Sequence, residues 1–307
     1  MSSKLWIILI VTISFTSVGF YWLSENGKSD SQIQIDILSK TAALPVRSLT
    51  SFEFDEETFD VSVTLFDALD SLLVETENTS TAHIRVMDTL TYLEYYSNLS
   101  DYRIIAMQPK DTSLIVNPEH ADIKELNAIK GAILGISSQA SDEFLLRMVI
   151  DSENIIGLSL DEVSVPSPLE SALMISDNLI NLGLFESPYT AYTLSNGCKS
   201  YYNFTDDLYD VYLVPKDLDS AVLEKITAYL KALNRQIDTY QSKSNDEITH
   251  EMTKVFGKYA IESDHPTFYN LVKPNTLLIN RFVTYLYATN WIDNKYPYDS
   301  LALDVFN

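Results

Sequence analysis

The sequence predicts an α/β fold, and three observations carry that expectation. Short β-rich runs alternate with helix-like segments from Gln32 onward, a second series of the same build follows from Ala132, and 46% of the 307 residues are hydrophobic. That apolar fraction supports a buried core in one large or two medium domains. Interleaved strands and helices of this kind form βαβ units with a largely parallel sheet.

The first element is not part of that pattern. Leu5 to Leu23, LWIILIVTISFTSVGFYWL, is nineteen uncharged residues, about enough helix to cross a bilayer core. Lys4 precedes it and Glu25 follows, so the positive end stays in the cytoplasm and the rest of the chain is exported. Residues 1–27 therefore read as a signal anchor or a signal peptide. Ser17-Val18-Gly19 offers a small-residue cleavage site, whereas Trp22 and Leu23 continue the apolar run and suit an interfacial anchor. Gly27 to Ser31 is a polar linker.

The strand runs of the first series are IQIDIL (Ile33 to Leu38), FDVSVTLF (Phe59 to Phe66), AHIRVM (Ala82 to Met87), YRIIAMQ (Tyr102 to Gln108) and SLIVNP (Ser113 to Pro118). The second series has strands at AILGI (Ala132 to Ile136), EVSVPS (Glu162 to Ser167) and LGLF (Leu182 to Phe185), with helices at Ser141 to Ser152 and Pro168 to Asn178. Beyond YDVYLVP (Tyr209 to Pro215) the pattern turns helical. Val222, Ile226, Leu230, Leu233, Ile237 and Tyr240 form one apolar stripe, and further helices are expected over Asn245 to Tyr259 and Asn275 to Asn290.

Charge and motifs exclude several functions. A net charge of −22 disfavours nucleic acid and anionic lipid surfaces, which carry the same sign. Cys198 is the only cysteine, so no internal disulfide forms, and His83, His120, His250 and His265 lack metal-site spacing. There is no GxSxG elbow, no GxxxxGK[ST] loop and no GxGxxG. With 43 acidic residues, no carboxylate pair stands out as an acid and base, so no catalytic residue, cofactor or metal is expected.

A ligand site in an open α/β sheet belongs at the carboxyl ends of the strands, where loops and helix N-termini converge. Those positions hold SKTAALP (Ser39 to Pro45), DTLTYLEYY (Asp88 to Tyr96), SSQAS (Ser137 to Ser141) and ESPYTAY (Glu186 to Tyr192). Pro188 is expected to stop its strand at the sheet edge and present Tyr189 to the crevice, although Tyr189 and Tyr192 also suit the core side of a following helix. Ser137, Ser138 and Ser141 precede a periodic helix, where at least one acts as N-cap. Asp142 and Glu143 in its first turn would repel an anion.

From about Ile33 to its end, the chain resembles the type II periplasmic binding proteins of ABC importers, in the branch serving nitrate, taurine, sulfonates and thiamine-type pyrimidine precursors. The residues that carry the resemblance are LNAIKGAILGISSQASDEFLLRMVI (Leu126 to Ile150), NLINLGLFESPYTAYTLSNG (Asn178 to Gly197), AHIRVMDTLTYLEYYSNLSDYRIIAMQ (Ala82 to Gln108) and WIDNKYPYDSLALDVF (Trp291 to Phe306). Three positions depart from the family pattern: Ser187 replaces the Glu before Pro-Tyr, with Glu186 one position earlier, while Arg85 and Asn181 stand where Asp is usual. The related pyrimidine-synthesising enzyme needs a cysteine-rich loop and a histidine where this chain has Arg47, so that activity is not expected.

The resemblance implies a two-lobed α/β architecture of the type II periplasmic-binding-protein fold behind an N-terminal hydrophobic helix. Residues 32–117 and 205–307 would build the first lobe and 118–204 the second. A ligand would close the two lobes by touching both, and a permease would recognise the closed shape. The implied contacts are Ser39, Thr41, Asp88 and Thr89 from the first lobe and Ser137, Ser138, Ser141, Glu186 and Tyr189 from the second. Acidic and aromatic lining favours a neutral or weakly cationic ring over a small anion such as a sulfonate, with Arg47 and Arg85 weighing the other way. The competing expectation is a membrane-tethered interaction or sensory module that keeps the scaffold and binds no transport ligand.

Overall fold

The computed structural model of the chain describes residues 33–38, 53–54, 57–66, 72, 82–136, 139–165, 167–257 and 267–306. The Leu5–Leu23 segment, the Gly27–Ser31 linker, Arg47 and the candidate contacts Ser39, Thr41, Ser137 and Ser138 lie outside the described residues. Among the described residues, no helix is long and apolar enough to cross a membrane.

Ten strands are described: β1 (Ile33–Ile37), β2 (Glu53–Phe54), β3 (Glu57–Thr58), β4 (Val61–Leu65), β5 (Ala82–Asp88), β6 (Tyr102–Val116), β7 (Ala132–Ile136), β8 (Leu160–Ser164), β9 (Leu182–Phe185) and β10 (Lys199–Pro215). Eight of them form one sheet in the order β4-β1-β5-β10-β6-β9-β7-β8, and β2 with β3 makes a separate small ladder. The flanks are parallel, whereas β10 runs antiparallel to both β5 and β6, and β6 antiparallel to β9.

The crossing strands position everything else. The first half of β6 pairs with the last half of β10 beside β5, and its final residues Ser113–Val116 pair with β9 while Lys199–Phe204 of β10 flank the other side. Both strands therefore run through both halves of the sheet. Their register shifts between Phe204 and Leu208 of β10, opposite only Thr112 to Lys110 of β6, which places a bulge midway along the crossing.

The helices are α1 (Thr89–Glu94), α2 (Gln139–Ser152), α3 (Pro168–Ser176), α4 (Tyr189–Ser195), α5 (Ser220–Gln241), α6 (Asn245–Phe256), α7 (Thr276–Ala288) and α8 (Tyr298–Leu301). Asp219 caps α5 by accepting from Ala221 N, and the expected stripe Ile226, Leu230, Leu233 and Ile237 is fully buried against Ile33, Ile35, Ile37, Ile84 and Val86. The opposite face of the sheet holds a larger cluster that runs without interruption from Met87 and Ile104 through Leu114 to Leu134, Phe144 and Phe282. A third, smaller cluster gathers Ile115, Ala172, Ile175, Ile180 and Phe185 under α3.

Four expectations change. The runs Tyr102–Gln108 and Ser113–Pro118 are one 15-residue strand, because Pro109 lies beside the register shift, where a missing ladder donor costs least. The second crossing begins at Lys199 rather than Tyr209. The helix expected from Ser141 begins earlier, at Gln139. Finally, β9 is an interior strand between β6 and β7, so Pro188 does not stop a strand at the sheet edge. Pro188 follows β9 by three residues and caps the N-terminus of α4, a position that needs no ladder hydrogen bond.

Candidate functional site

The candidate site forms where β5 ends and α2 begins. Asp88 is the last residue of β5 and the N-cap of α1, with extended backbone (φ −68°, ψ 151°). Its Oδ1 accepts from Thr91 N at 2.9 Å, and its Oδ2 accepts from the Thr91 hydroxyl. The same Oδ1 accepts the Ser141 hydroxyl, from the first turns of α2, at 2.5 Å. Two expected contacts from opposite halves of the sheet thus bond directly to each other.

Thr89 and Tyr189 sit differently. Thr89 is fully buried, and its hydroxyl donates to the Tyr209 carbonyl of β10 at 2.7 Å. Tyr189, the first residue of α4, is half-buried and packs against both the α5-side cluster and the α3-side cluster, so it spans the two halves on the other face. Tyr192 packs only on the α3 side.

Glu186 brings in residues that sequence reasoning missed. Lys110, near the bulge of β6, lies 2.7 Å from Glu186 Oε1 and 3.3 Å from Asp210 Oδ1. Asp210 is 3% exposed and is the register partner of Asp88 across β10 and β5. Burial alone would lower the Lys110 ammonium, but Asp210, Glu186 and Asp88 together hold it above its usual range. Burial, opposed by Lys110 and reinforced by Glu186 and Asp88, pushes the Asp210 carboxyl up to about 6. The two upward shifts differ in cause: surrounding carboxylates raise Lys110 against its burial, whereas burial itself is the largest influence on Asp210. Lys110 was hidden in the apparent turn between two strand runs, and Asp210 in the polar alternation of YDVYLVP.

Because α2 begins at Gln139, only Asp142 of the expected acidic pair lies in its first turn, and Glu143 beyond it is engaged elsewhere. Glu143 Oε1 pairs with Arg147, and its Oε2 accepts the Trp291 indole N–H at 3.1 Å. Phe144 meets Phe282 and Tyr285 of α7 edge-on at centroid distances of 5.4 and 4.8 Å. Arg85 does not join the site. Its guanidinium lies 4.7 Å over the ring of Tyr102, the first residue of β6, at the far end from Lys110. Among the described residues, no group of three or more His, Cys, Asp and Glu side chains gathers as a metal site.

This arrangement of crossing strands and facing helices recurs in solved structures. The ligand-binding component of an ABC-type import system from Staphylococcus aureus, with zinc bound, superposes with a TM-score of 0.71 at 13% identity, over 90% of this chain and 97% of that one. The alkanesulfonate-binding protein SsuA from Xanthomonas axonopodis pv. citri, bound to MOPS, gives 0.69 at 13%, over 90% and 99%. The periplasmic nitrate-binding protein NrtA from Synechocystis PCC 6803 gives 0.63 at 11%, over 89% and 86%. The chain has the two-lobed periplasmic-binding-protein fold. No protein-family model matches its sequence, and no curated protein does. In this chain β6 and β10 run through both halves of the sheet, Asp88 bonds Ser141 across them, and Lys110 pairs with Glu186.

Proposed function

We propose that the chain is an exported solute-binding protein that captures a small organic molecule between its lobes and delivers it to an ABC-type permease. The observation that carries this reading is the Asp88–Ser141 hydrogen bond, which brings a strand end of one half and a helix start of the other within 2.5 Å. A ligand that touches both halves there favours the closed state by its differential contacts. Residues 32–117 and 205–307 form the first lobe and 118–204 the second in this reading. We assign it no enzymatic activity, because the solved structures it resembles are binding components and the charged groups at the site pair with one another. The protein works on the extracytoplasmic face, held to the membrane by residues 5–23.

The favoured ligand is a neutral or weakly cationic ring. Asp88, Glu186 and Asp210 outnumber Lys110, and Tyr189, the half-buried first residue of α4, follows Glu186 by three positions in the chain. Arg85, which would have favoured a sulfonate or nitrate, lies over Tyr102 instead.

A second reading has its own support. The larger apolar cluster is shared by both lobes, and Asp88 and Ser141 already satisfy each other, as in a tethered interaction module whose scaffold stays closed. A thermal-unfolding screen separates the two. A binder gains a saturable rise in Tm with heterocyclic amines and none with alkanesulfonates or nitrate. A rise with the anions alone overturns the ligand class, and no rise with any class leaves the interaction module.

A further inference from the structure

One charged group in the first lobe is left without a hydrogen-bonded counterpart. Arg85 is fully buried, yet Nε, Nη1 and Nη2 have no hydrogen-bond partner among the described residues. The carboxylate that should answer it is next door. Asp36 of β1 is the register partner of Arg85 and is also fully buried, but its Oδ2 lies 2.6 Å from His83 Nε2 and its Oδ1 accepts from Gln34 at 3.3 Å. The other face of His83 meets the Tyr102 hydroxyl at 3.4 Å through Nδ1. A buried guanidinium is strongly disfavoured unless its donors are hydrogen-bonded and its charge answered, and a single ring at 4.7 Å does neither.

We propose that Arg85 holds a small monovalent inorganic anion of chloride size inside the first lobe, at a site distinct from the Asp88–Ser141 contact. The donor set suits such an ion. All three guanidinium nitrogens lack a partner, one edge of the planar group can present two parallel N–H groups to a single ion, and His83 engages the Asp36 carboxylate that would otherwise answer them. Full burial of Arg85 makes occupancy a matter of stability rather than transport. The site is independent of the proposed ligand, so it stands or fails separately from the transport reading.

The test compares thermal unfolding of the full-length protein in sodium chloride and in sodium gluconate at equal ionic strength. Chloride is expected to raise Tm saturably, by roughly 5 °C at about a hundredfold excess over its Kd, with gluconate inert. Arg85→Met, which keeps the apolar stem and removes the donors, is expected to lose that difference. Bromide-soaked crystals of the wild-type protein are expected to show an anomalous peak against the guanidinium. Equal Tm in both salts, a chloride effect that survives in Arg85→Met, or no bromide at Arg85 overturns the proposal. If the variant does not fold, the wild-type bromide map decides it alone.

Discussion

Glu94, near the end of α1, shows how the site's excess of carboxylates reaches beyond it. Burial first, and the nearby Asp88 second, push its carboxyl up to about 7 from the usual 4.5. A carboxyl that holds its proton more tightly in the folded state contributes stability that is fully present below its unfolded value and lost as pH rises through its folded one. For Glu94 that window runs from 4.5 to about 7. Glu94→Gln is therefore expected to be more stable than the parent at pH 8, by about 1 kcal/mol after allowance for its partial exposure, and equal to it at pH 4. Urea unfolding at the two pH values checks the sign. At this scale the sequence was informative where a residue's place in an element defines its neighbours. Asp88 ends a strand and Ser141 lies in the first turn of a helix, so both could be named as facing groups. Their bond to each other depends on how the halves pack, which no local pattern encodes. Lys110 and Asp210 were invisible for a different reason: they lie inside long strands, where charge normally marks a solvated face.

Among the elements, α2 carries the most consequence. It presents Ser141 to Asp88, Glu143 to Trp291 and Phe144 to α7, so it joins parts of the chain more than a hundred residues apart. Phe144→Ala removes an edge-on aromatic pair and leaves a cavity in the larger cluster. A loss of about 3–5 kcal/mol is expected, read from the midpoint of denaturant unfolding. The opposite face depends on absence of bulk. Gly135 of β7 and Gly183 of β9 are register partners, and a Cβ at Gly135 would come within 2.5 Å of Ile180 Cδ1 and 2.9 Å of Ser171 Oγ. The paired glycines let Ser171 of α3 settle onto the sheet, so Gly135→Ala is expected to cost about 1–3 kcal/mol. Helices with one clear apolar stripe, such as α5, were legible to within a few residues, because the stripe from Val222 to Tyr240 spans nearly the whole of Ser220–Gln241. The breaks drawn through β6 and before β10 were not, because Pro109 and the polar stretch beside the bulge mimic turn chemistry.

For the whole molecule, the two linking strands set the order of stability. The last half of β10 is paired on both sides and buried on both faces at Tyr212 and Leu213, whereas β8 is an edge strand with most of its residues exposed. Native-state hydrogen exchange is expected to be slowest at Val211–Val214 and fastest, among strands, at Leu160–Ser164. Slow exchange at β8 would contradict the sheet order. The general α/β class followed from alternation alone, but the insertion of β10 between β5 and β6 did not, since it joins segments separated by more than a hundred positions. That insertion has a temporal side. A ribosome releases β5 and β6 long before β10, so both present unpaired edges until Pro215 has emerged, and the sheet can close only after synthesis has passed that point.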